Sequence, residues 1–202
     1  MHSISNPIIL ASSSIYRQQL LNKLGLPFST SSPDIDESPR ENESVSQMVA
    51  RLSIEKARAV AEQEPNHIII ASDQSASLNN QALGKPGNYQ AAFKQLQTQQ
   101  GNSIRFYTGL AVYNPLTQDI LTAMDITDVV FRQLSDTQIH NYLMAEQPYD
   151  CAGSFKSEGL GICLFERIVS EDPNALIGLP LIQLVSLLNQ IGLSLPTATT
   201  EQ

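Results

Sequence analysis

The residues able to do chemistry fall into three sets. The first is Ser12-Ser13-Ser14-Ile15-Tyr16-Arg17, which follows the short apolar run Pro7-Ile8-Ile9-Leu10-Ala11. A strand that leads into a helix leaves unpaired backbone N–H groups and the positive end of the helix dipole at the junction, a seat for phosphate. Arg17 could add a bidentate contact. The plainer reading is a serine-capped helix with a solvated arginine. The second is Asp73, within Ala71-Ser72-Asp73-Gln74, at the C-terminal end of a strand read over Ile68 to Ile70. Ligands of open α/β sheets gather at the carboxyl ends of strands, where a carboxylate can hold a divalent cation or orient water. A turn-capping aspartate fits that position equally well. The third set is Glu37, Lys56, Lys85 and Lys156. Lysine beside glycine or proline, as in Gly84-Lys85-Pro86 and Gly153-Ser154-Phe155-Lys156-Ser157-Glu158-Gly159, suits contact with an anion, although a solvated lysine is the default.

Other chemistries find less support. His2, His67 and His140 have no metal-ligand spacing, and Cys151 and Cys163 form no C-x-x-C pair. Two reduced thiols in a cytoplasmic protein are the expectation. Neither G-x-x-x-x-G-K-[ST] nor G-x-G-x-x-G occurs. The 12 Lys plus Arg against 20 Asp plus Glu give a net charge of −8. So acidic a surface repels nucleic acid and anionic membranes at long range, so neither is expected as a partner. An anionic substrate would need a local cationic pocket, a metal, or both. No apolar stretch approaches the ~20 residues of a membrane span. Met1 to Pro7 does not read as the start of a signal peptide.

The elements that must position these residues alternate between strand and helix. The run Pro7 to Ala11 reads as a buried strand, and Ile15, Leu20, Leu21 and Leu24 follow helical spacing up to Gly25. Pro27 to Ser32 reads as a second strand, followed by a polar loop through Asp34, Asp36, Glu37 and Arg40. Ser44 with Gln47, and Ser135 with Gln138, read as capping boxes; the first opens a helix to about Glu64, the second a helix ended by Pro148. A helix is expected over Tyr89 to Gln99, and long strands over Ser103 to Val112 and Ile120 to Leu134, turning at Asn114-Pro115. A strand over Ile162 to Val169 and a core helix near Leu179 to Ile191 complete the series. Long strands joined by a short turn pair antiparallel, so the fold class is α/β with a mixed, partly antiparallel sheet flanked by helices. The 202 residues, 42% hydrophobic, suit one domain over 1–196 with two lobes, and a disordered tail over 197–202.

Together the segments resemble the Maf family of nucleotide pyrophosphatases, in order, from Ile8 to Gly192. Ile9-Leu10-Ala11-Ser12-Ser13-Ser14-Ile15-Tyr16-Arg17 looks like the family's opening L-A-S-x-S-P-x-R-R. Asp34-Ile35-Asp36-Glu37 looks like its acidic loop, Glu55-Lys56-Ala57 its helix motif, Ser72-Asp73-Gln74 its catalytic segment and Gly84-Lys85-Pro86 its G-K-P. Ser72-Asp73-Gln74 in place of A-D-T, aromatic Tyr16 in place of Arg, and the run Cys151 to Gly159 resemble the family's 7-methyl-GTP branch rather than its dTTP/UTP branch. Two positions depart from the pattern: Ile15 stands for Pro, and Gln18 for the second Arg.

The resemblance implies hydrolysis of 7-methyl-GTP to 7-methyl-GMP and diphosphate, a house-cleaning role against modified nucleotides. It implies an ITPase-like fold, two lobes with a central cleft, and a homodimer. Asp73 becomes the catalytic base; since a carboxylate is a weak base at neutral pH, a metal-binding and water-orienting role is added. Mg²⁺ or Mn²⁺ would be held by Glu37, Asp73 and substrate oxygens. Ser14, Arg17, Lys56 and Lys85, joined by Lys156, would hold the triphosphate. Tyr16 would stack on the cationic base, Glu158 would accept from its N–H groups, and Gln74 would sit between phosphate and base. The rival readings are a dTTP/UTP-type Maf enzyme and a nucleotide-binding regulator of cell division without turnover.

Overall fold

The computed structural model describes residues 6–196, so the tail expected over 197–202 lies outside the described residues. The strands are β1 (Ile8–Leu10), β2 (Phe28–Thr30), β3 (Ile68–Leu78), β4 (Gln81–Leu83), β5 (Ser103–Tyr113), β6 (Ile120–Phe131) and β7 (Phe165–Val169). The helices are α1 (Ile15–Asn22), α2 (Val45–Gln63), α3 (Tyr89–Gln99), α4 (Asp136–Glu146) and α5 (Leu181–Gln190). The sheet runs β2-β1-β3-β5-β6-β7, with β4 also paired to β3. β1 is parallel to both β2 and β3, and the remaining pairs are antiparallel. The expected mixed α/β sheet is therefore present.

Local chemistry accounts for much of this. Both capping boxes form: the Ser44 and Ser135 hydroxyls accept from the Gln47 and Gln138 amides, and each glutamine reaches back 2.9 Å to the serine N–H. The β5–β6 turn closes where expected, with Asn114 Oδ1 accepting from the Leu116 N–H at 3.0 Å.

The alternation of side chains along β3 and β5 sorts the core into layers. Even-numbered residues face α5 at one end, where Ile68, Ile70, Leu110 and Val112 pack with Leu184 and Leu188. Farther along the same face, Ala76, Leu78, Ile104 and Phe106 pack with α3 and α4. Between these two apolar clusters the face is polar: Ser72, Gln74 and Thr108. Odd-numbered residues of the opposite face, Ile69, Ala71, Ala111 and Tyr113, pack on Ala57, Val60 and Ala61 of α2. α2 comes close enough that a Cβ on Gly109 would stand 2.8 Å from the Val49 carbonyl oxygen. Only glycine permits that approach.

The structure differs from the expectations at five points. Asp73 is not at the end of its strand: β3 continues to Leu78, because small Ser75, Ala76 and Ser77 extend the ladder along β5. It nonetheless lies just beyond the carboxyl end of β1, whose Leu10 is level with Ile70. β4 was not expected; it pairs with Ala76–Leu78 on the edge of β3 that β1 has vacated. Residues Leu160–Leu164 form a 3₁₀ helix, and only Phe165–Val169 is strand. β6 stops at Phe131 rather than Leu134, and α5 begins at Leu181, after Pro180 at its N-cap.

Candidate active site

Between the end of β1 and the start of β4, the edge of β3 from Ala71 to Ser75 has no ladder partner among the described residues. A cleft of about 510 Å³ opens there. Its wall contains every site residue named from the sequence: Ser14, Tyr16, Arg17, Glu37, Lys56, Asp73, Gln74, Lys85, Lys156 and Glu158. The chain brings them together from α1, the loop before α2, α2 itself, β3, the β4–α3 loop and the segment after α4.

Ser14 is the N-cap of α1, and its hydroxyl accepts from the Arg17 N–H at 3.5 Å. Helix geometry leaves the first-turn amides of Ile15 and Tyr16 without intrahelical acceptors, and both residues line the cleft. The serine run therefore caps the helix, as the plainer reading had it, and it does so on the cleft wall. Arg17 is half-buried and not simply solvated; its Nε donates to the Gly178 carbonyl at 2.9 Å. Burial pulls its guanidinium below the ordinary value, opposed by the charges of Asp73 and Glu37. Gly178 has φ +123°, and a Cβ there would come within 3.3 Å of Arg17 Nε, so glycine suits this contact. Ile15 is 60% exposed, and the Gln18 amide turns back to the Ser13 carbonyl at 3.5 Å, outside the cleft wall.

The charged centre is on the α2 face of β3. Lys56 Nζ lies 2.6 Å from Asp73 Oδ1 and 2.9 Å from Glu37 Oε1. Lys56 and Asp73 are nearly buried, with side chains 8% and 10% exposed, whereas Glu37 is open to solvent. Lys56 fills the point on which the two carboxylates converge, so a hard divalent cation would draw on their other oxygens, Asp73 Oδ2 and Glu37 Oε2, and take the rest from substrate and water. The residues therefore fit Mg²⁺ or Mn²⁺ shared with a phosphate; among the described residues no group of three His, Cys, Asp or Glu side chains forms a self-sufficient site. Lys85 is exposed at the rim.

The other polar side chains of the cleft occupy the opposite face of β3 and the far wall. Gln74 Nε2 lies 2.9 Å from Thr108 Oγ1, 2.8 Å from the Ala175 carbonyl and 3.1 Å from that of Leu176. Its amide hydrogens are thus committed, and Oε1 is its remaining polar atom. Tyr16 is half-buried; burial raises its hydroxyl above the ordinary value, and the charge of nearby Lys156 opposes that rise. Lys156 Nζ also donates to the Glu146 carbonyl at 3.3 Å. Phe106 and Phe155, whose rings pack edge-to-face at 5.3 Å, line the cleft and were not anticipated. Nor was the Ser170–Gly178 segment; its signal was the punctuation of Asp172-Pro173 and Gly178-Leu179-Pro180.

The family model described as Maf-like protein matches residues 7–191. The chain belongs to the Maf family. Its similarity to curated Maf relatives is high over nearly the full length. A 7-methyl-GTP pyrophosphatase of Hydrogenovibrio crunogenus is 59% identical over 94% of this chain and 94% of its own. Those of Pseudoalteromonas translucida and Nitrosococcus oceani are 53% and 51% identical, over 95% and 92% of this chain and 95% and 93% of their own. Among solved structures, the Ham1 protein of Staphylococcus aureus is similar to 77% of this Maf chain and covers 90% of its own, with a TM-score of 0.46 and 14% identity. As a Maf member the protein is a nucleotide pyrophosphatase, a hydrolase. Among the described residues no helix is long and apolar enough to cross a membrane.

Proposed function

We propose that this Maf pyrophosphatase hydrolyses 7-methyl-GTP between its α and β phosphates, releasing 7-methyl-GMP and pyrophosphate. The observation that carries the reading is the division of one cleft into a charged centre, Asp73–Lys56–Glu37, and a recognition wall with Tyr16, Gln74 and Glu158. The names of relatives 51–59% identical point to the same substrate.

In this reading Asp73 orients a water and takes its proton as the water oxygen bonds to phosphorus and the bridging oxygen leaves with pyrophosphate. The Lys56 ion pair holds Asp73 in one direction, so no reorganisation is needed at the moment of attack. Arg17, Lys85 and the α1 amides hold the chain of phosphates, with Ser14 fixing those amides and Lys156 adding charge at the far wall. A Mg²⁺ or Mn²⁺ ion held by Glu37 and Asp73 would supply Lewis-acid polarisation and charge neutralisation. Methylation at N7 makes guanine cationic, which favours stacking on Tyr16 and the negative charge of Glu158. The free Gln74 Oε1 is an acceptor by default, matched to the donor edge of guanine. House-cleaning of modified nucleotides, a cytoplasmic location and a homodimer complete the proposal. The two free cysteines support the location, and light scattering would test the dimer.

The deciding experiment is pyrophosphate release with Mg²⁺ or Mn²⁺ from 7-methyl-GTP, GTP, dTTP, UTP and CTP, with Asp73→Ala as control. Preference for 7-methyl-GTP that vanishes in the variant supports the proposal. Preference for dTTP or UTP overturns the base assignment. Binding without release from any nucleotide turns the protein into a regulator.

A further inference from the structure

The polar band between the two apolar clusters is covered by one segment, Ser170 to Gly178. It crosses the sheet strand by strand. Ser170 Oγ lies 3.0 Å from Thr127 Oγ1 on β6. The Ala175 carbonyl accepts from Thr108 on β5 at 3.1 Å and from Gln74 on β3 at 2.8 Å. The Leu176 carbonyl adds a second contact to Gln74, and the Gly178 carbonyl accepts from Arg17 at 2.9 Å and lies 2.9 Å from the Ser72 hydroxyl, whose one hydrogen it shares with the Gly109 carbonyl at 2.7 Å. The strap thus touches the recognition end of the cleft through Gln74 and the phosphate end through Arg17, in both cases with backbone atoms.

What holds the strap is Asp172, which is only 1% exposed. Its Oδ1 accepts from the Asn174 N–H at 2.8 Å and from Asn174 Nδ2 at 3.0 Å; its Oδ2 accepts from the Ile182 N–H at 2.6 Å. Among the described residues no lysine, arginine or histidine pairs with it. A buried carboxylate without a counter-ion is costly unless donors surround it, and the N-terminus of α5 supplies both an N–H and a favourable dipole. Pro180, the N-cap of α5, offers no capping side chain. One carboxylate therefore closes the strap's own turn and clamps it to α5.

We infer that Asp172 is a positioning residue for the substrate cleft, acting through the strap carbonyls that direct Gln74 and Arg17. The inference rests on the reading of the cleft as a nucleotide site, and is independent of which base is bound. The Asp73–Lys56–Glu37 centre is built against α2 on the other face, and none of its hydrogen bonds or ion pairs involves the strap. Releasing the strap should consequently loosen substrate and leave chemistry largely intact.

The test is steady-state kinetics of Asp172→Ala and Asp172→Asn with whichever triphosphate of the panel the wild type uses best, alongside thermal melting by circular dichroism. The expected result for Asp172→Ala is a rise in KM of about tenfold with kcat changed by less than about threefold. Asp172→Asn, which keeps a carbonyl oxygen for the Ile182 N–H, should recover part of the lost KM. A fall in kcat that tracks lost folded protein, with KM unchanged, would reduce Asp172 to a structural residue and overturn the inference; so would no change in either constant. Should the alanine variant fail to fold, the asparagine variant decides on the same criteria. Should the wild type bind a triphosphate without turnover, the proposed function fails but this inference does not: Kd by calorimetry replaces KM, with the same tenfold expectation.

Discussion

Asp73 and Gln74 are neighbours in sequence and work on opposite sides of the sheet. Asp73 points to the α2 side, where its partner is a lysine side chain on a long helix. Gln74 points to the strap side, where its partners are a threonine hydroxyl and two backbone carbonyls. The period-two alternation of a strand makes this separation possible with no spacer. The Asp73 side is held by charge and by a long helix; the Gln74 side is held by neutral hydrogen bonds to a loop. Under the proposed function, such a division would let the base preference change through loop and wall residues while the Asp73–Lys56–Glu37 centre stays fixed.

The largest expected effect comes from Lys56→Ala. It leaves the Asp73 carboxylate nearly buried and unpaired, which costs about 3 kcal/mol of stability. It should also lower kcat by about 10³-fold, with the ranking of nucleotides unchanged. Chemical denaturation and the pyrophosphate assay measure the two effects. Retained kcat with an altered nucleotide ranking would break the division between the sides.

Tyr16→Ala tests the other half. Loss of a cation–π contact of about 1 kcal/mol should reduce the preference for 7-methyl-GTP over GTP by about fivefold, through KM, while GTP turnover is unaffected. Unaltered discrimination would remove Tyr16 from the recognition wall.

The smallest effect concerns the anchor of the strap on β6. The Thr127 hydroxyl lies 3.1 Å from Asp125 Oδ1 and 3.0 Å from Ser170 Oγ, while Ser170 donates to the Asp172 carbonyl at 2.8 Å. Burial raises the Asp125 carboxyl above its ordinary range; the charges of Asp172 and Glu171 add to the rise, and Thr127 opposes it. A carboxyl raised in the folded state contributes stability below its unfolded value, near pH 4, and loses it as pH rises through the folded value. Asp125→Asn cannot ionise. It should melt higher than the wild type at pH 8, with the difference shrinking toward pH 4; an equal difference at both pH values would show that ionisation of Asp125 is not involved.

Much of this molecule was legible before the structure. Ser44 and Ser135 announced their helices because a capping box is a contact between residues three apart. Glu37, Lys56, Asp73 and Lys85 were legible as a set, through motif order, although each alone looked like an ordinary surface charge. The extent of β3 was less legible, since Ser75 and Ser77 carry no strand signal of their own and are extended because β5 lies beside them. Phe106 and Phe155 are core residues, and that they also line the cleft depends on where the sheet edge opens.

By itself the sequence determined which groups are available: the carboxylates, the lysines, the aromatic at the start of α1 and the local signals that end each element. The tertiary structure alone decided their partners. Lys56 bridges Asp73 and Glu37 because α2 packs close over Gly109. Gln74 became a fixed acceptor because carbonyls about a hundred residues away in the chain take its hydrogens. Side-chain type is a local property, whereas the direction of a hydrogen bond is set by whichever distant backbone the packing brings within 3 Å.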